Sequence, residues 1–220
     1  LIEKAAEAGL RSVFVGFETL NPNNLQMANK GQNLGQDYHQ AIQRLHSLGI
    51  MINGSFVFGL DDDDKDVFKR TVDWAVEQGL TTATYHILTP YPGTHLYQEM
   101  QADGRLLHNN WDLYDTRHVV YQTRGLDAET LKQGYDWAYQ AFYNWPNIFK
   151  ASLQHEQLKY RLKHFFYMAG WKKFEPVWNF LIKHELLNQS LPMLEAVLSQ
   201  VKGTQESVIE RFSENKVVSG

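Results

Sequence analysis

The 220-residue sequence contains no cysteine. The chain therefore has no disulfide, no thiolate nucleophile and no cysteine ligand for a metal ion or an iron–sulfur cluster. It also has no overall basic excess, because 21 Lys and Arg residues stand against 25 Asp and Glu residues, for a net charge of -4. A general nucleic-acid surface requires a clustered basic excess, so we expect no nucleic-acid partner.

Long apolar runs and start signals are missing as well. No run approaches the roughly 18 to 20 residues that cross a bilayer, and no signal-peptide pattern opens the chain, so we expect no transmembrane segment and a cytoplasmic location. The sequence does not begin with Met. It opens on LIEKAAEAGLRSV, which reads as the last turns of a helix. This opening favours a fragment of a longer protein.

The composition is that of a globular domain, with 43% hydrophobic and 21% charged residues. The first half alternates apolar, β-branched runs with segments of helical periodicity. The strands are predicted at 12–17, 50–59 and 81–88, and the helices between them at 37–48 and 64–78. This alternation predicts a parallel sheet with right-handed crossovers, which is an α/β fold.

The pattern changes after about residue 103. An irregular segment follows, with a short strand near 118–122, and then a helix is predicted from Asp127 to Trp145, ended by Pro146. Further apolar helical faces occur near 158–165, 177–181 and 194–201. The second half is therefore predicted to be mostly α-helical.

Ligands of parallel α/β folds bind at the carboxyl ends of the strands, so the residues there are the candidates for a site. Glu18 follows the first predicted strand and can accept hydrogen bonds from a ribose diol or pair with a cation, or it is a solvated loop acid. Gly59 ends the second strand and permits close approach of a ligand or of neighbouring backbone, or it only turns the chain.

Four consecutive aspartates, 61–64, follow Gly59. They point in different directions and lack the alternating spacing of a calcium loop, so a metal site is disfavoured. Acids before a helix satisfy its free N–H groups and complement its dipole, which favours Asp63 and Asp64 as caps of the next helix. The histidines show no zinc-ligand spacing. We therefore predict no metal site in this chain.

Four segments, taken together and in order, look like the later part of a radical S-adenosylmethionine enzyme. They are VFVGFETLNPNNLQMANKGQN, GIMINGSFVFGLDDD, YHILTPYPGTHLYQEM and GRLLHNNWDLYD. The group that the chain resembles carries an N-terminal cobalamin-binding domain and a helical C-terminal extension. Each motif alone is weak, but four in the right order and spacing are specific, most of all from Val13 to about Asp115.

The resemblance implies a partial (β/α) barrel with S-adenosylmethionine across the carboxyl ends of its strands. Glu18 takes the fourth-strand position that contacts the ribose or the amino-acid part of the cofactor, and Lys30 reaches its carboxylate. In the sixth strand, His86 and Leu88 place backbone and apolar groups beside the adenine.

The fifth-strand pattern Gly-x-Ile-x-Gly-x-x-Glu of the family matches four positions, which are Ser55, Val57, Gly59 and Asp62. Val57 supplies the apolar contact to adenine. The chain departs from the pattern with Ser55 in place of glycine and Asp62 in place of glutamate, which puts the role of Asp62 in doubt. The catalytic residues are not identified by this resemblance.

The resemblance also implies what lies outside this chain. The three-cysteine motif for the [4Fe-4S] cluster, the first three strands and the cobalamin domain are expected upstream, so the chain alone is expected to be inactive and to pair with that upstream half. The predicted organisation is the C-terminal half of a TIM-like (β/α) barrel over 1–104, a connector over 105–126, a helical extension over 127–212 and a tail over 213–220. The parent reaction is radical modification, such as cobalamin-dependent methylation, of a small-molecule or lipid-like substrate.

Two alternatives remain open. One is a barrel enzyme of another class that uses Glu18, His86 and Asp62 as acid–base groups and needs no iron. The other is a non-catalytic remnant that folds and binds a partner.

Overall fold

The structure is a computed structural model that describes residues 1–27 and 38–183, with side chains described up to 173. It divides into two compact units, 1–172 and 173–220. The elements are α1 (Ile2–Glu7), β1 (Ser12–Glu18), α2 (Pro22–Met27), α3 (Tyr38–Ser47), β2 (Met51–Phe58), α4 (Val67–Glu77), β3 (Thr82–Ile87), α5 (His95–Ala102), α6 (Ala128–Phe142), α7 (Trp145–Ser152) and α8 (Leu158–Lys183), with one 3₁₀ turn at Trp111–Leu113. Among these residues no helix is long and apolar enough to cross a membrane.

The three strands form a parallel sheet in the order β1-β2-β3. Because parallel neighbours need a crossover, α3 joins β1 to β2 and α4 joins β2 to β3. Each predicted strand is observed within two residues of its predicted ends. The predicted α/β class with a parallel sheet is confirmed.

Alternate residues of the strands build the core on one face of the sheet. Phe17, Phe56 and Tyr85 lie there, each no more than 1% exposed, and their rings stack across the strands at 5.4 and 5.8 Å between centroids. Helices α4, α6 and α7 pack against this face and one another. Stacked aromatic pairs of this kind add about 1 kcal/mol each beyond their buried area.

The outer edge of β3 is closed by side chains of α6. The Tyr139 hydroxyl donates to the carbonyl of Tyr85 and accepts from its N–H, both at 3.1 Å. The Tyr143 hydroxyl does the same for Ala83, at 3.0 and 3.2 Å. Since the two tyrosines are one helical turn apart, their hydroxyls form hydrogen bonds with the backbone groups of alternate residues of the strand, as a neighbouring strand would.

We expect the double variant Tyr139→Phe, Tyr143→Phe to lower the free energy of unfolding by about 3 kcal/mol, because four backbone groups at the β3 edge lose their partners. Urea denaturation checks this value. Tyr91→Phe, at a tyrosine that is 48% exposed, is the matched control and should change stability by less than about 0.5 kcal/mol. A loss in the double variant no larger than in the control would contradict the proposed edge closure.

Two predicted helix boundaries are wrong. Pro146 does not end a helix. The Asn144 side chain accepts from the N–H of Asn147 at 2.8 Å and begins α7, with the proline in its first turn, where a missing N–H costs nothing. The apolar faces near 158–165 and 177–181 belong to the one helix α8 rather than to two.

The segment after α5 matches part of its prediction, which was an irregular stretch with one short strand. Leu106 and Tyr121 form a single antiparallel bridge, so the strand expected near 118–122 is reduced to that bridge. The predicted helix near 194–201 and the tail lie outside the described residues, as does Lys30. The domain boundaries stay predictions.

Candidate functional site

The face of the sheet opposite the core carries a mixed, mostly polar set of side chains in register. Gly16, Ser55 and Thr84 form one row across the three strands, and Val57 and His86 form the next row toward the carboxyl ends. The core residues of β2 and β3 alternate with these positions. A sheet with helices on one face and polar side chains on the other has the pattern of a barrel wall whose inner face binds ligands.

Glu18 lies at the carboxyl end of β1, where the strand is irregular. The register to β2 shifts between Gly16 and Glu18, and Glu18 has a φ of 65°, in the left-handed region that non-glycine residues rarely adopt. Its side chain folds back over Gly16, so that a Cβ on Gly16 would lie 2.9 Å from the Glu18 Oε1. A bulge of this kind redirects a side chain at a strand end, and here it brings the carboxylate onto the polar face.

His86 is the nearest titratable group to Glu18 on β3. Its burial lowers the pKa of His86, and the negative charge of Glu18 opposes that shift. Its Nδ1 lies 3.2 Å from the Thr116 hydroxyl. The imidazole is therefore held mostly neutral at pH 7, beside a carboxylate, and can donate or accept one hydrogen bond toward a ligand.

On the same polar face, one buried acceptor has no partner among the residues that the structure describes. Asn53 belongs to β2, two residues before Ser55, and its Oδ1 is buried without a hydrogen bond. Phe14, in register with Asn53 on β1, is 65% exposed. A buried orphan acceptor beside an exposed aromatic ring indicates that this face is completed by a further component.

The loop after β2 is organised by Asp63, which is 2% exposed. Its Oδ2 accepts from the N–H groups of Gly59 and Leu60 at 2.9 and 3.1 Å, and its Oδ1 accepts from the Asn24 amide of α2 at 2.8 Å. Burial raises the pKa of Asp63 to about 6, although the two N–H donors oppose that shift. Asp63 thus ties the end of β2 to α2.

The expectation that Asp63 caps the next helix is therefore wrong, because its carboxylate is directed back to the strand end. Asp64 lies outside α4 and accepts from the N–H of Asp66, the residue that precedes the helix, at 3.0 Å. It also pairs with Arg70 at 2.8 Å. The surface pairing of Asp64 agrees with a solvated helix start.

Asp61 binds arginine. Arg105 reaches its two oxygens at 2.5 and 3.2 Å, with both side chains about 15% exposed, and Arg124 lies 3.4 Å away. A bidentate guanidinium–carboxylate pair fixes both planes. Arg105 therefore anchors the segment after α5 to the loop after β2.

The chain is similar to several methyltransferases. It is 37% identical over 133 residues to the bacteriochlorophyllide d C-12(1)-methyltransferase of Chlorobaculum tepidum, covering 60% of this chain and 29% of that protein. It is 26% identical over 153 residues to the bacteriochlorophyllide d C-8(2)-methyltransferase of the same organism, covering 69% and 34%. It is 26% identical over 110 residues to the hopanoid C-2 methylase of Rhodopseudomonas palustris, covering 50% and 21%. No family model matches the chain.

The resemblance to radical S-adenosylmethionine enzymes is confirmed. The chain spans a fifth to a third of the length of these relatives. All three are methyltransferases or methylases, so the similarity is to an enzyme family. Their substrates differ, bacteriochlorophyllide d in two cases and a hopanoid in the third.

The structure brings some of the residues assigned from the radical S-adenosylmethionine pattern together and separates others. Ser55, Val57 and His86 share the polar face with Glu18. Leu88 packs instead into the small cluster around Tyr121, while its N–H donates to the Phe58 carbonyl at 2.9 Å. Its side chain therefore contributes to packing beside the strand end.

Gly59 and Asp62 have surroundings that the family pattern does not reveal. A Cβ on Gly59, whose φ is 92°, would lie 2.8 Å from the Tyr121 hydroxyl and 2.9 Å from Leu131, so side chains of this chain fill the space beside the glycine. Asp62 is exposed, and its backbone N–H and carbonyl bind Asn24 and Asn21. The structure gives no contact between Asp62 and His86, which weakens the acid–base triad of the alternative enzyme.

Several residues of the site were missed from sequence. Asn24, Asn53 and Thr116 carry no motif. Asn24 and Thr116 become significant only through partners distant in the chain, and Asn53 through the burial of its amide oxygen. Among the described residues, no group of three or more His, Asp or Glu side chains is arranged to hold a metal ion.

Proposed function

We propose that this chain forms the carboxyl-terminal wall of a radical S-adenosylmethionine enzyme, with the cofactor on the polar face of the sheet. The observation that carries the proposal is the meeting of Glu18, Val57 and His86 at the carboxyl ends of three parallel strands, on the face opposite the helices. This is the end at which parallel α/β folds bind their ligands.

The donor set suits S-adenosylmethionine. A carboxylate such as Glu18 accepts hydrogen bonds from a ribose diol or an ammonium group, Val57 offers an apolar surface for adenine, and the half-buried His86 supplies one neutral hydrogen-bonding nitrogen. The Glu18 carboxylate also attracts the positive charge of a sulfonium. The orphan acceptor Asn53 and the exposed Phe14 fit a face that is completed by a ligand or by further strands.

In the family that the chain resembles, S-adenosylmethionine beside a reduced [4Fe-4S] cluster supplies a carbon-centred radical. The cysteine-free chain cannot hold that cluster, so its own contribution is to bind and orient the cofactor and to exclude water from it. The cluster ligands, and cobalamin if the parent uses it, belong to an upstream half that pairs beside β1, the strand that ends the sheet among the described residues.

The substrate class is proposed from the relatives. These relatives methylate bacteriochlorophyllide d, which is a tetrapyrrole macrocycle, and a hopanoid, and both compounds are large, apolar and rigid. We propose that the parent of this chain methylates a compound of this class, either a tetrapyrrole or a polycyclic lipid.

We expect Glu18→Gln to weaken binding of S-adenosylmethionine about tenfold or more, because the carboxylate's charge and its second strong acceptor are lost. Isothermal titration calorimetry of the chain, joined to an upstream half that restores the cysteine motif, measures this change. Glu7→Gln, at an exposed residue of α1, is the matched control and should bind as tightly as the parent.

If the Glu18 and Glu7 variants bind S-adenosylmethionine with equal affinity, Glu18 does not contact the cofactor. Activity of the joined protein without iron would favour the acid–base barrel enzyme. Failure of any upstream half to give cofactor cleavage would favour the non-catalytic remnant.

A further inference from the structure

Two consecutive helices expose apolar side chains at regular spacing. On α7 these are Trp145, Phe149 and Leu153, which are 52%, 57% and 44% exposed and four residues apart. Residues four apart share one side of a helix. This stripe is opposed by the buried Ile148 and Ala151, which pack into the core.

The next helix repeats the pattern. Leu158, Leu162 and Phe166 of α8 are 68%, 49% and 67% exposed, again four residues apart. The opposite side of this helix is held by His164 and Met168, which are 2% and 0% exposed. Helix α8 therefore has one apolar side in the core and a second apolar side in solvent.

The two stripes join into one surface. The Trp145 ring lies 6.5 Å from that of Phe165, and Phe165 lies 5.8 Å from Phe166. We call the six exposed residues of the two stripes the aromatic face. Several large apolar side chains that are exposed on two neighbouring helices mark a docking site rather than scattered surface residues.

The segment that carries the aromatic face has a basic excess, and one of its cations, Lys150, pairs with Glu77 of α4 at 3.3 Å. Residues 145–173 contain six Lys and Arg residues and one acid, Glu156, within a chain of net charge -4. The overall balance of the sequence hides this local excess. Lys159 and Lys163 follow the stripe of α8 one residue later, and both are exposed. Lysines beside an apolar stripe place their stems along it, and the Lys163 ammonium group also donates to the Gly49 carbonyl at 3.3 Å.

We propose that the aromatic face docks on an anionic lipid surface. A helical surface that combines Trp, Phe and Leu with flanking Lys and Arg is the composition of interfacial helices, in which the apolar side chains enter the acyl boundary and the cations meet lipid phosphates. The two helices α7 and α8 would lie in the plane of the membrane surface, with the rest of the first unit above it.

Sedimentation with vesicles tests the proposal. The 220-residue chain is mixed with vesicles of phosphatidylcholine alone or of equal parts phosphatidylcholine and phosphatidylserine. We expect binding to the anionic vesicles that weakens with added salt, and little binding to the neutral ones. Phe149→Gln with Phe166→Gln should weaken this binding about tenfold or more, and Lys159→Gln with Lys163→Gln about tenfold.

The matched controls are Trp137→Gln, at an aromatic residue of α6 that is 42% exposed and outside the aromatic face, and Lys4→Gln in α1. Both should bind like the unmodified chain, and circular dichroism confirms that each variant is folded. Absence of binding to anionic vesicles, or equal losses in controls and face variants, overturns the proposal. Concentration-dependent self-association that the face variants abolish, without vesicle binding, assigns the face to a second copy of the chain and also overturns it.

Discussion

Lowering the pH from 6.5 toward 4 is expected to destabilise the chain steeply, because three histidines are buried in contact with one another. His46, His155 and His164 are 7%, 6% and 2% exposed. The Nε2 of His155 lies 2.9 Å from the Nδ1 of His164, and the rings of His46 and His155 are 4.2 Å apart between centroids. Burial lowers the pKa of His46 and His155 to about 4 and that of His164 to about 3.

The direction of this pH dependence follows from the number of protons that the folded and the unfolded chain bind. Below pH 6.5 the unfolded chain takes up protons on these histidines while the folded chain does not, so stability is full above pH 6.5 and falls as the pH drops. Neighbouring positive charge strengthens the effect, since Arg161 and Lys163 lower the pKa of His155 and the histidines lower that of one another.

Asp63 acts in the opposite direction. Its pKa is raised to about 6 by burial, so between about pH 6 and 4 the folded chain binds a proton that the unfolded chain lacks. In this range the unfolded chain binds three more protons than the folded chain on the histidines, and the folded chain binds one more proton on Asp63. The net difference of two protons corresponds to a limiting slope of about 3 kcal/mol of unfolding free energy per pH unit.

Urea denaturation at several pH values measures this slope. His164→Gln removes one titrating ring, so we expect a slope smaller by about 1 kcal/mol per pH unit even if the variant is less stable at pH 7. His95→Gln is the matched control, because the His95 side chain is 84% exposed, and its slope should equal that of the unmodified chain. A stability that is independent of pH over this range would show that the three rings are not buried in solution.

Replacing Asp63 by alanine should cost about 3 kcal/mol of stability. The variant loses three hydrogen bonds and leaves two backbone N–H groups and the Asn24 amide without acceptors, and each unsatisfied buried donor costs about 1–3 kcal/mol. Relief of the buried charge, which the raised pKa of Asp63 reflects, offsets part of this loss. Thermal or urea unfolding at pH 7 measures the change.

The neighbouring aspartate is the matched control. Asp62 is exposed and holds its neighbours through backbone groups, so Asp62→Ala should change stability by less than about 0.5 kcal/mol. Similar losses in both variants would mean that the loop after β2 is not organised by the Asp63 carboxylate. The two variants also distinguish a residue that stabilises the fold from one that was assigned to the cofactor, because the family resemblance assigned Asp62 to the cofactor and did not assign Asp63.

The secondary structure was largely readable from local pattern. The strand cores at 12–17, 50–59 and 81–88 were predicted from apolar, β-branched runs, and the crossover helices from their 3.6-residue period. The Thr94 side chain accepts from the N–H of Tyr97 at 3.2 Å and begins α5, and threonine is a common residue at this position of a helix. Pro146 was misread because proline ends a helix at most positions but is favourable in the first turn, and only the Asn144 cap distinguishes the two.

The site was readable only in part. The positions of Glu18, Val57 and His86 follow from strand ends and from the family pattern, because the register of a parallel sheet places strand ends side by side. The role of Asp63 was not readable, since four adjacent aspartates look alike in sequence and differ only in which one faces Asn24 and the strand end. The surroundings of Gly59 were likewise not predictable, because they are formed by Tyr121 and Leu131, which are far from it in the chain.

By itself, the sequence determined the α/β class, the order of the strands and helices, the family resemblance and the inability of this chain to hold an iron–sulfur cluster. These properties depend on residue type, local period and composition, and none of them needs a distant contact. The tertiary structure decided which aspartate is buried, how Tyr139 and Tyr143 close the β3 edge, that three histidines share one buried cluster, and that the stripes of α7 and α8 form one surface. Each of these is a contact between segments whose separation in the chain carries no local signal, so only the packing of the elements reveals it.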